Sequence, residues 1–454
     1  MERLRRNLAA NFVGLGLASG APLLFNIVYY HLLGSEGYGL IGLYVTAQMI
    51  GVALDQGLSR PTAREVVRDV SRANGGTRVR SVVLTLLAVD AALFLALAVV
   101  VGALSRWIST SWLNAGGLDQ DTVTLAVALM GLSIALQQPR TVLIAALNGL
   151  HRQVLTNSMV GAAAVLRGVV TVTALVVSPG IEVFFWTQAI MAALETLSIG
   201  LIAWGNLPAA AEGTRARLDW SVLRSVRGFA LSDGASVAIG TLIVNADKLV
   251  LSGLVSLPVL GSYSLLSLVA QALARLPAPF TIAHFPRFVE LRESGDAAAL
   301  ARVYRRANVG LTTLLVPAAT AAVIFAAPIS EVLLGSQAGM ERPDLVFALL
   351  AIAFTANALL HLPYALQLAS GWTRLGLILN VVVLVTYVPL LSMFAPFGGP
   401  MAAAALFFLA MTIPFPVAVH LTHRRLLPQE NRGWWRIVVA TPIGVSCLAV
   451  IPAR

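Results

Sequence analysis

The sequence predicts an all-α polytopic membrane protein, built as two parallel six-helix repeats around a central cavity, with 12 transmembrane helices and one further apolar segment near the C-terminal end. Three observations predict it. First, 58% of the 454 residues are hydrophobic and 11% are charged, with a mean hydropathy of +0.82, more apolar surface than a globule in water can hide. Second, apolar runs of about 20 residues recur along the chain, the length that crosses a hydrocarbon core of roughly 30 Å as a helix. Third, the outline of Asn26 to Arg64 returns in Asn245 to Arg287: a helix, a short turn with Gly and Tyr, a helix with a central Ala-Gln, then a basic loop. Pairing Ala47-Gln48 with Ala270-Gln271 gives one register, and pairing Gly39 with Gly261 gives another, one residue away.

Taken in order, helices are expected near 8–33, 37–58, 80–104, 122–148, 153–177 and 181–204, then 222–255, 260–283, 305–327, 343–366, 373–393 and 400–422. Gly, Pro and charged residues punctuate them. Arg3, Arg5 and Arg6 before the first run imitate a signal peptide, but the run is too long for an h-region and further spans follow, so it is expected to be retained. The N-lobe is placed at 1–204, a polar cytoplasmic linker at 205–221, the C-lobe at 222–423 and a C-terminal segment at 424–454. Within it the apolar stretch Trp434 to Pro452 opens on Trp434-Trp435, an interface signature, and either spans as a thirteenth helix or lies at the surface.

The distribution of charge orients the map. Of the 31 basic residues, 24 fall in loops on the amino terminus's side, three (Arg106, Arg342 and Arg454) fall opposite, and four lie within spans. Excess arginine marks the cytoplasmic face, so the amino terminus is expected to be cytoplasmic, and the net charge of +10 does not call for nucleic acid. An even number of helices in the first half makes the repeats parallel. Basic segments follow the second helix of each half, at Arg60 to Arg80 and Arg287 to Arg306, where anionic headgroups are their expected partner.

Ionisable residues inside a membrane are costly and mark function by default. The seventh helix carries Asp233, Gly240 and Asp247 within about 40° of one another at 100° per residue, flanked by Ser236 and Lys248. Ser264, Gln271 and Arg275 share a face of the eighth helix, Tyr44, Gln48 and Asp55 share one of the second, and Asn11 and Asn26 add polar groups to the first. These faces are expected to line the cavity where the repeats meet, with Lys248, the chain's one lysine, and Arg275 wetted by it. Asp90, Arg167 and Glu195 are expected as buried structural pairs, and Arg140 as a snorkelling residue near a cytoplasmic end. Pro22, Pro277 and Pro279 weaken helices beside the cavity. Cys447 is alone, which excludes an internal disulfide or cysteine metal cluster. The six histidines have no metal-ligand spacing, His420 and His423 reading as part of a basic topology signal, and no P-loop occurs. No cofactor or metal is expected.

Several short motifs stand in a characteristic order: Leu33-Gly34 through Tyr38-Gly39-Leu40, Asp55-Gln56-Gly57-Leu58 with Arg60 and Arg64, Ala246-Asp247-Lys248, Gly261-Ser262-Tyr263-Ser264, and Phe285-Pro286-Arg287. Together they make most of residues 1–430 resemble the polysaccharide (O-antigen and exopolysaccharide) flippases of the multidrug/oligosaccharidyl-lipid/polysaccharide exporter superfamily. The resemblance implies two six-helix lobes around a V-shaped cavity. It also implies export of a polyprenyl-diphosphate-linked oligosaccharide from the cytoplasmic to the periplasmic leaflet, with no enzymatic activity. Cavity cations meet the diphosphate in that family, a role carried onto Arg275 and Lys248, with Gln271, Asn26, Gln48 and Ser264 lining the path. H⁺ or Na⁺ coupling would use Asp247, Asp233 or Asp55. The first helix lacks an intramembrane arginine, unlike peptidoglycan lipid flippases, which disfavours that precursor as cargo. A cation-coupled multidrug exporter is the alternative, though the first helix offers no carboxylate. A membrane glycosyltransferase or O-antigen ligase fits less, because the outward loops are short. The expected partners are the lipid-linked oligosaccharide, membrane lipids and polysaccharide polymerase or glycosyltransferase proteins, around a monomer.

Overall fold

Apolar runs broken by glycine and proline fold, in a computed structural model, into helices throughout. The structure describes residues 2–70, 72, 75–114, 116–210, 213–335, 339–372, 374–430, 433–436 and 438, and of residues 2–19, 227–233, 235 and 236 the backbone alone. Its helices are α1 (Glu2–Val70), α2 (Gly75–Trp107), α3 (Gln120–Gln137), α4 (Pro139–Gly149), α5 (Gln153–Val177), α6 (Ile181–Asn206), α7 (Trp220–Ser252) and α8 (Leu257–Gln271). There follow α9 (Pro277–Glu293), α10 (Ala297–Ile324), α11 (Ala326–Leu334), α12 (Pro343–Leu359), α13 (His361–Ala369), α14 (Arg374–Thr412) and α15 (Pro414–Leu426). No strand occurs among the described residues, where Asn114 and Ser256 form an isolated bridge.

Among the described residues nine helical stretches are long and apolar enough to cross a membrane. Two of them, Gly20–Val70 and Arg374–Leu426, hold 51 and 53 residues, about 75–80 Å of helix and more than twice a hydrocarbon core. Each bends where a glycine adopts positive φ, Gly34 at 73° and Gly399 at 51°, a conformation that a Cβ penalises. Counting each as two crossings and adding the 33-residue α7, whose side chains are only partly described, recovers the 12 expected spans.

Several boundaries differ from expectation, and proline explains most of them. The expected helix at 122–148 is two, because Pro139 opens α4 directly after the cap residue Gln138. The helix at 260–283 is also two, separated by a 3₁₀ turn at Ala272–Arg275, with Pro277 opening α9. Pro414 opens α15 in the same way. At a helix's first position a missing N–H costs nothing, so each proline starts a segment as it ends the one before. The basic segment expected as a loop from Arg60 is instead helix to Val70. Its buried Asp69 accepts from Arg72 Nη1 at 2.7 Å and Arg78 Nε at 3.1 Å. Of the C-terminal segment, residues 439–454 lie outside the described residues.

The chain packs as two units, Met1–Gly261 and Ser262–Arg454. The linker expected to part the lobes at 205–221 lies inside the first unit, fastened along α2. Arg80 Nε donates to Pro208 O at 2.7 Å and its guanidinium stacks on Trp204 at 5.1 Å. Thr77 and Thr214 hydroxyls meet at 2.6 Å, and Asp219 N donates to Thr85 Oγ1 at 2.9 Å. Asp219 caps α7, and the Ser221 hydroxyl and N–H hold its carboxyl below the usual range. Two apolar clusters fill this unit, one including Val66, Leu143, Leu147 and Ile199, the other Leu86, Val142, Val222 and Val226. In the second unit α9, α10, α13 and α15 close on Phe288, Tyr304, Leu311, Leu362, Val419 and Trp434.

Within the first unit the two motif glycines meet backbone to backbone. A Cβ on Gly261 would stand 2.0 Å from Ser35 O, and one on Gly39 would stand 2.3 Å from Leu257 O. Neither neighbour is a flexible side-chain end, so Gly261→Ala is expected to cost about 1–3 kcal/mol or more through forced separation of the chains. A fall in the thermal midpoint of the purified protein measures it.

Candidate functional site

Of the polar residues expected on one face of the second helix, Tyr44 and Asp55 are buried with their side-chain oxygens unpartnered, and Gln48 bonds across to another helix. Gln48, on α1, reaches the amide of Gln137 at 2.6 Å, at the last residue of α3. With that amide turned so that its oxygen faces the arginines, it accepts from Arg140 Nη2 at 2.6 Å and Arg167 Nη1 at 3.2 Å. Arg167 on α5 makes a two-point contact with Glu195 of α6, at 2.8 Å through Nε and 2.6 Å through Nη2. Arg140, at the start of α4, binds the same carboxylate through Nη1. Five helices therefore converge on one network holding two guanidinium groups and one carboxylate. Arg167 with Glu195 matches the expected structural pairing, whereas Arg140 points inward to Glu195 instead of snorkelling, because the break at Gln138 starts α4 beside α6.

Asp90 departs from the expected pairing with Arg167 or Glu195. It lies on α2 beside Asp55 of α1, with Thr141 and Ser59 as the other neighbours of Asp55. Both carboxyls are fully buried. Sequence inspection missed the roles of Gln137 and Gln138. Their signal was present, since Gln-Gln-Pro-Arg is a polar interruption in the middle of an apolar run.

The remaining residues divide by unit. In the first, Asn26 Nδ2 donates to Pro22 O at 2.7 Å and its oxygen accepts from Tyr38 OH at 3.1 Å. Lys248 is buried and its Nζ lies 3.0 Å from Asp247 Oδ1 and 3.3 Å from Val244 O. Asp247 and Lys248 thus lie within ion-pair distance of each other. Asp233 sits in α7, and its side chain lies outside the described residues. In the second unit Ser264 is buried with its hydroxyl unpartnered, Gln271 ends α8 half-buried, and Arg275 ends the 3₁₀ turn exposed. His423 belongs to the interior there, not to a basic surface signal: it is fully buried and its Nε2 lies 2.8 Å from Tyr304 OH. Among the described residues no group of three or more His, Cys, Asp or Glu could hold a metal ion.

Residues 31–338, about two thirds of the chain, match the sequence pattern of a family described as polysaccharide biosynthesis protein. The chain belongs to that family. No curated protein matches it in sequence. Among solved structures, this polysaccharide biosynthesis protein is similar to the lipid II flippase MurJ in an inward closed conformation, with a TM-score of 0.73 at 11% identity over 98% of this chain and 93% of MurJ. It is also similar to a point mutant of the MATE transporter VcmN of Vibrio cholerae, with a TM-score of 0.65 at 14% identity over 95% and 98% of the two chains. A multidrug resistance MATE family transporter of the MOP superfamily, in an inward-facing conformation, scores 0.66 at 14% identity over 98% and 100%. At such identities the likeness is one of fold, and that fold is a membrane-embedded helical one shared by a flippase and by drug transporters.

Proposed function

We propose that this polysaccharide biosynthesis protein moves a polyprenyl-diphosphate-linked oligosaccharide from the cytoplasmic to the periplasmic leaflet of a bacterial inner membrane, by alternating access of its two repeats. The observation that supports the reading is guanidinium placed within helices of membrane-crossing character, two such groups sharing one carboxylate. Arg140 and Arg167 share the single carboxylate Glu195, and Arg275 stands exposed between α8 and α9. A diphosphate cannot cross hydrocarbon alone, since an isolated ion there carries a penalty of tens of kcal/mol by the idealised estimate. Fixed positive charge lowers that barrier for an anionic cargo and raises it for a cationic drug. With the cell interior negative, outward passage of about two negative charges is favoured by roughly 4–5 kcal/mol per 100 mV. Lipid-linked sugars would be handed on by glycosyltransferases and consumed by a polymerase, which are the natural partners.

A cation-coupled multidrug exporter is the second reading, favoured by the likeness to MATE transporters and by the buried carboxyls Asp55, Asp90 and Asp247. Reconstitution separates the two. Proteoliposomes are expected to move a polyprenyl-diphosphate oligosaccharide across the bilayer. Arg275→Ala is expected to slow this about tenfold, the worth of one charge-assisted hydrogen bond. Export of organic cations with no movement of lipid-linked sugar would favour the exporter instead. Covalent sugar transfer by the purified protein would point to an enzyme.

A further inference from the structure

Two carboxyl groups of the first unit take no part in the network around Glu195. Asp55 on α1 and Asp90 on α2 are 0% exposed, and no base or backbone N–H is bonded to any of their four carboxyl oxygens, the hydroxyls of Thr141 and Ser59 being the polar neighbours of Asp55 besides Asp90. A third group at the same place is also unsatisfied. The Gln138 amide, 1% exposed, has no partner for its oxygen or its nitrogen. It reaches α1 at Gly51, one turn before Asp55, where an added Cβ would stand 2.7 Å from Gln138 Nε2. Buried polar atoms are almost always paired, so a cluster left open at three residues marks the place of a missing partner.

The charge of that partner follows from what surrounds it. Two adjacent carboxylates out of water cannot both stay negative. Among the described residues no base of the surrounding elements is bonded to them. On α4, Arg140 is bound with Arg167 to Glu195. On α2, Arg78 and Arg80 lie about 15 Å or more toward its start, committed to Asp69 and to the carbonyl of Pro208. On α3, no charged residue occurs between Thr122 and Gln137. α7 passes α1 closely, a Cβ on Gly234 standing 3.1 Å from Gly57 Cα. Arg224 of α7 is exposed, Lys248 is paired with Asp247, and the side chains of Asp233 and Arg227 are outside the described residues. The positive charge therefore comes from solution, and a proton is the one cation that needs no cavity. Held between the two groups it makes one carboxyl a donor and the other its acceptor.

We propose that Asp55 and Asp90 share one proton and form the site where proton binding and release are linked to transport. Its use rests on the transporter reading above, while its existence rests on geometry alone. Loading adds one H⁺ to the dianionic pair, and unloading returns it to water. Both side chains are closed to solvent here, so exchange requires α1 and α2 to part. A difference in proton affinity between the open and closed arrangements is what would couple the ion to the cargo.

The test reads the proton directly. Infrared difference spectra of the full-length protein in vesicles are expected to contain a protonated-carboxyl band at neutral pH that disappears in Asp55→Asn and in Asp90→Asn. Exchanging NaCl for choline chloride is expected to leave it unchanged. Asparagine copies the shape of the protonated acid, and if one variant does not fold the other reads the same band. Absence of the band in the unaltered protein, its persistence in both variants, or its removal by Na⁺ would each overturn the proposal. In proteoliposomes carrying a pH gradient, either variant is expected to lose the gradient's effect on flipping. Should no lipid-linked sugar move at all, the flippase reading fails while the spectra still decide whether the pair holds a proton.

Discussion

Alanine at position 195 is expected to cost the protein about 3–5 kcal/mol, because it leaves buried charge without its counter-ion. Glu195 is the one carboxylate that Arg140 and Arg167 share, and the three side chains are 5–20% exposed. Removing it places two guanidinium groups of like charge side by side among apolar helices, with Gln137 as the remaining acceptor. Glu195→Gln keeps the shape and one acceptor oxygen, so its loss is expected to be smaller than that of alanine. Combining Glu195→Met with Arg167→Met removes a charge of each sign and is expected to recover part of the stability, since one buried guanidinium, Arg140, is then left to Gln137 instead of two. Thermal unfolding of the four proteins in one detergent measures the order. If alanine and the double variant melt alike, the network does not support the first unit.

Trp434→Ala is the second large effect, expected at about 3–5 kcal/mol for loss of a fully packed indole. Trp434 is 1% exposed, its Nε1 donates to Asn308 Oδ1 at 2.8 Å, and it packs against Phe415 and His423. Beside it Glu430, also 1% exposed, accepts from Nε and Nη2 of Arg305, at 3.1 and 2.5 Å. The substitution opens a cavity and leaves a buried amide oxygen unpaired, two penalties in one change. Trp434→Phe fills most of the space but not the hydrogen bond, so it is expected to fall between. Limited proteolysis is expected to cut the alanine variant first after Leu427, where the segment leaves α15.

The fold was legible because its signals are long. An apolar run of 25 residues such as Gln153–Val177 has no other stable outcome in lipid, and its expected ends coincide with α5. Positive φ at Gly34 and Gly399 separates helices where glycine suggested a break. What could not be read were the local interruptions and the partners across helices. The expected helix at 122–148 runs through Pro139, and Pro277 is expected to weaken its helix; only packing decides whether a proline bends a helix or begins the next one. Pairing was harder still. Asp55 and Asp90 are 35 residues apart in sequence and Arg140 and Glu195 are 55 apart. Periodicity places a residue on a face but does not say which neighbour that face meets. Lys248 and Asp247 are neighbours in sequence, and only the structure brings Lys248 Nζ to 3.0 Å from Asp247 Oδ1.

The approach of Gly261 to Ser35 and of Gly39 to Leu257 carries a consequence for movement inside the first unit. Interlocked side chains pass from one seating to another only by jumping between rotamers, which gives a helix contact discrete stops. Bare main chain presents no teeth. Where α8 begins and α1 turns past Gly34, small rotations meet a smooth bearing, and any stops must be set by the bulkier residues on either side.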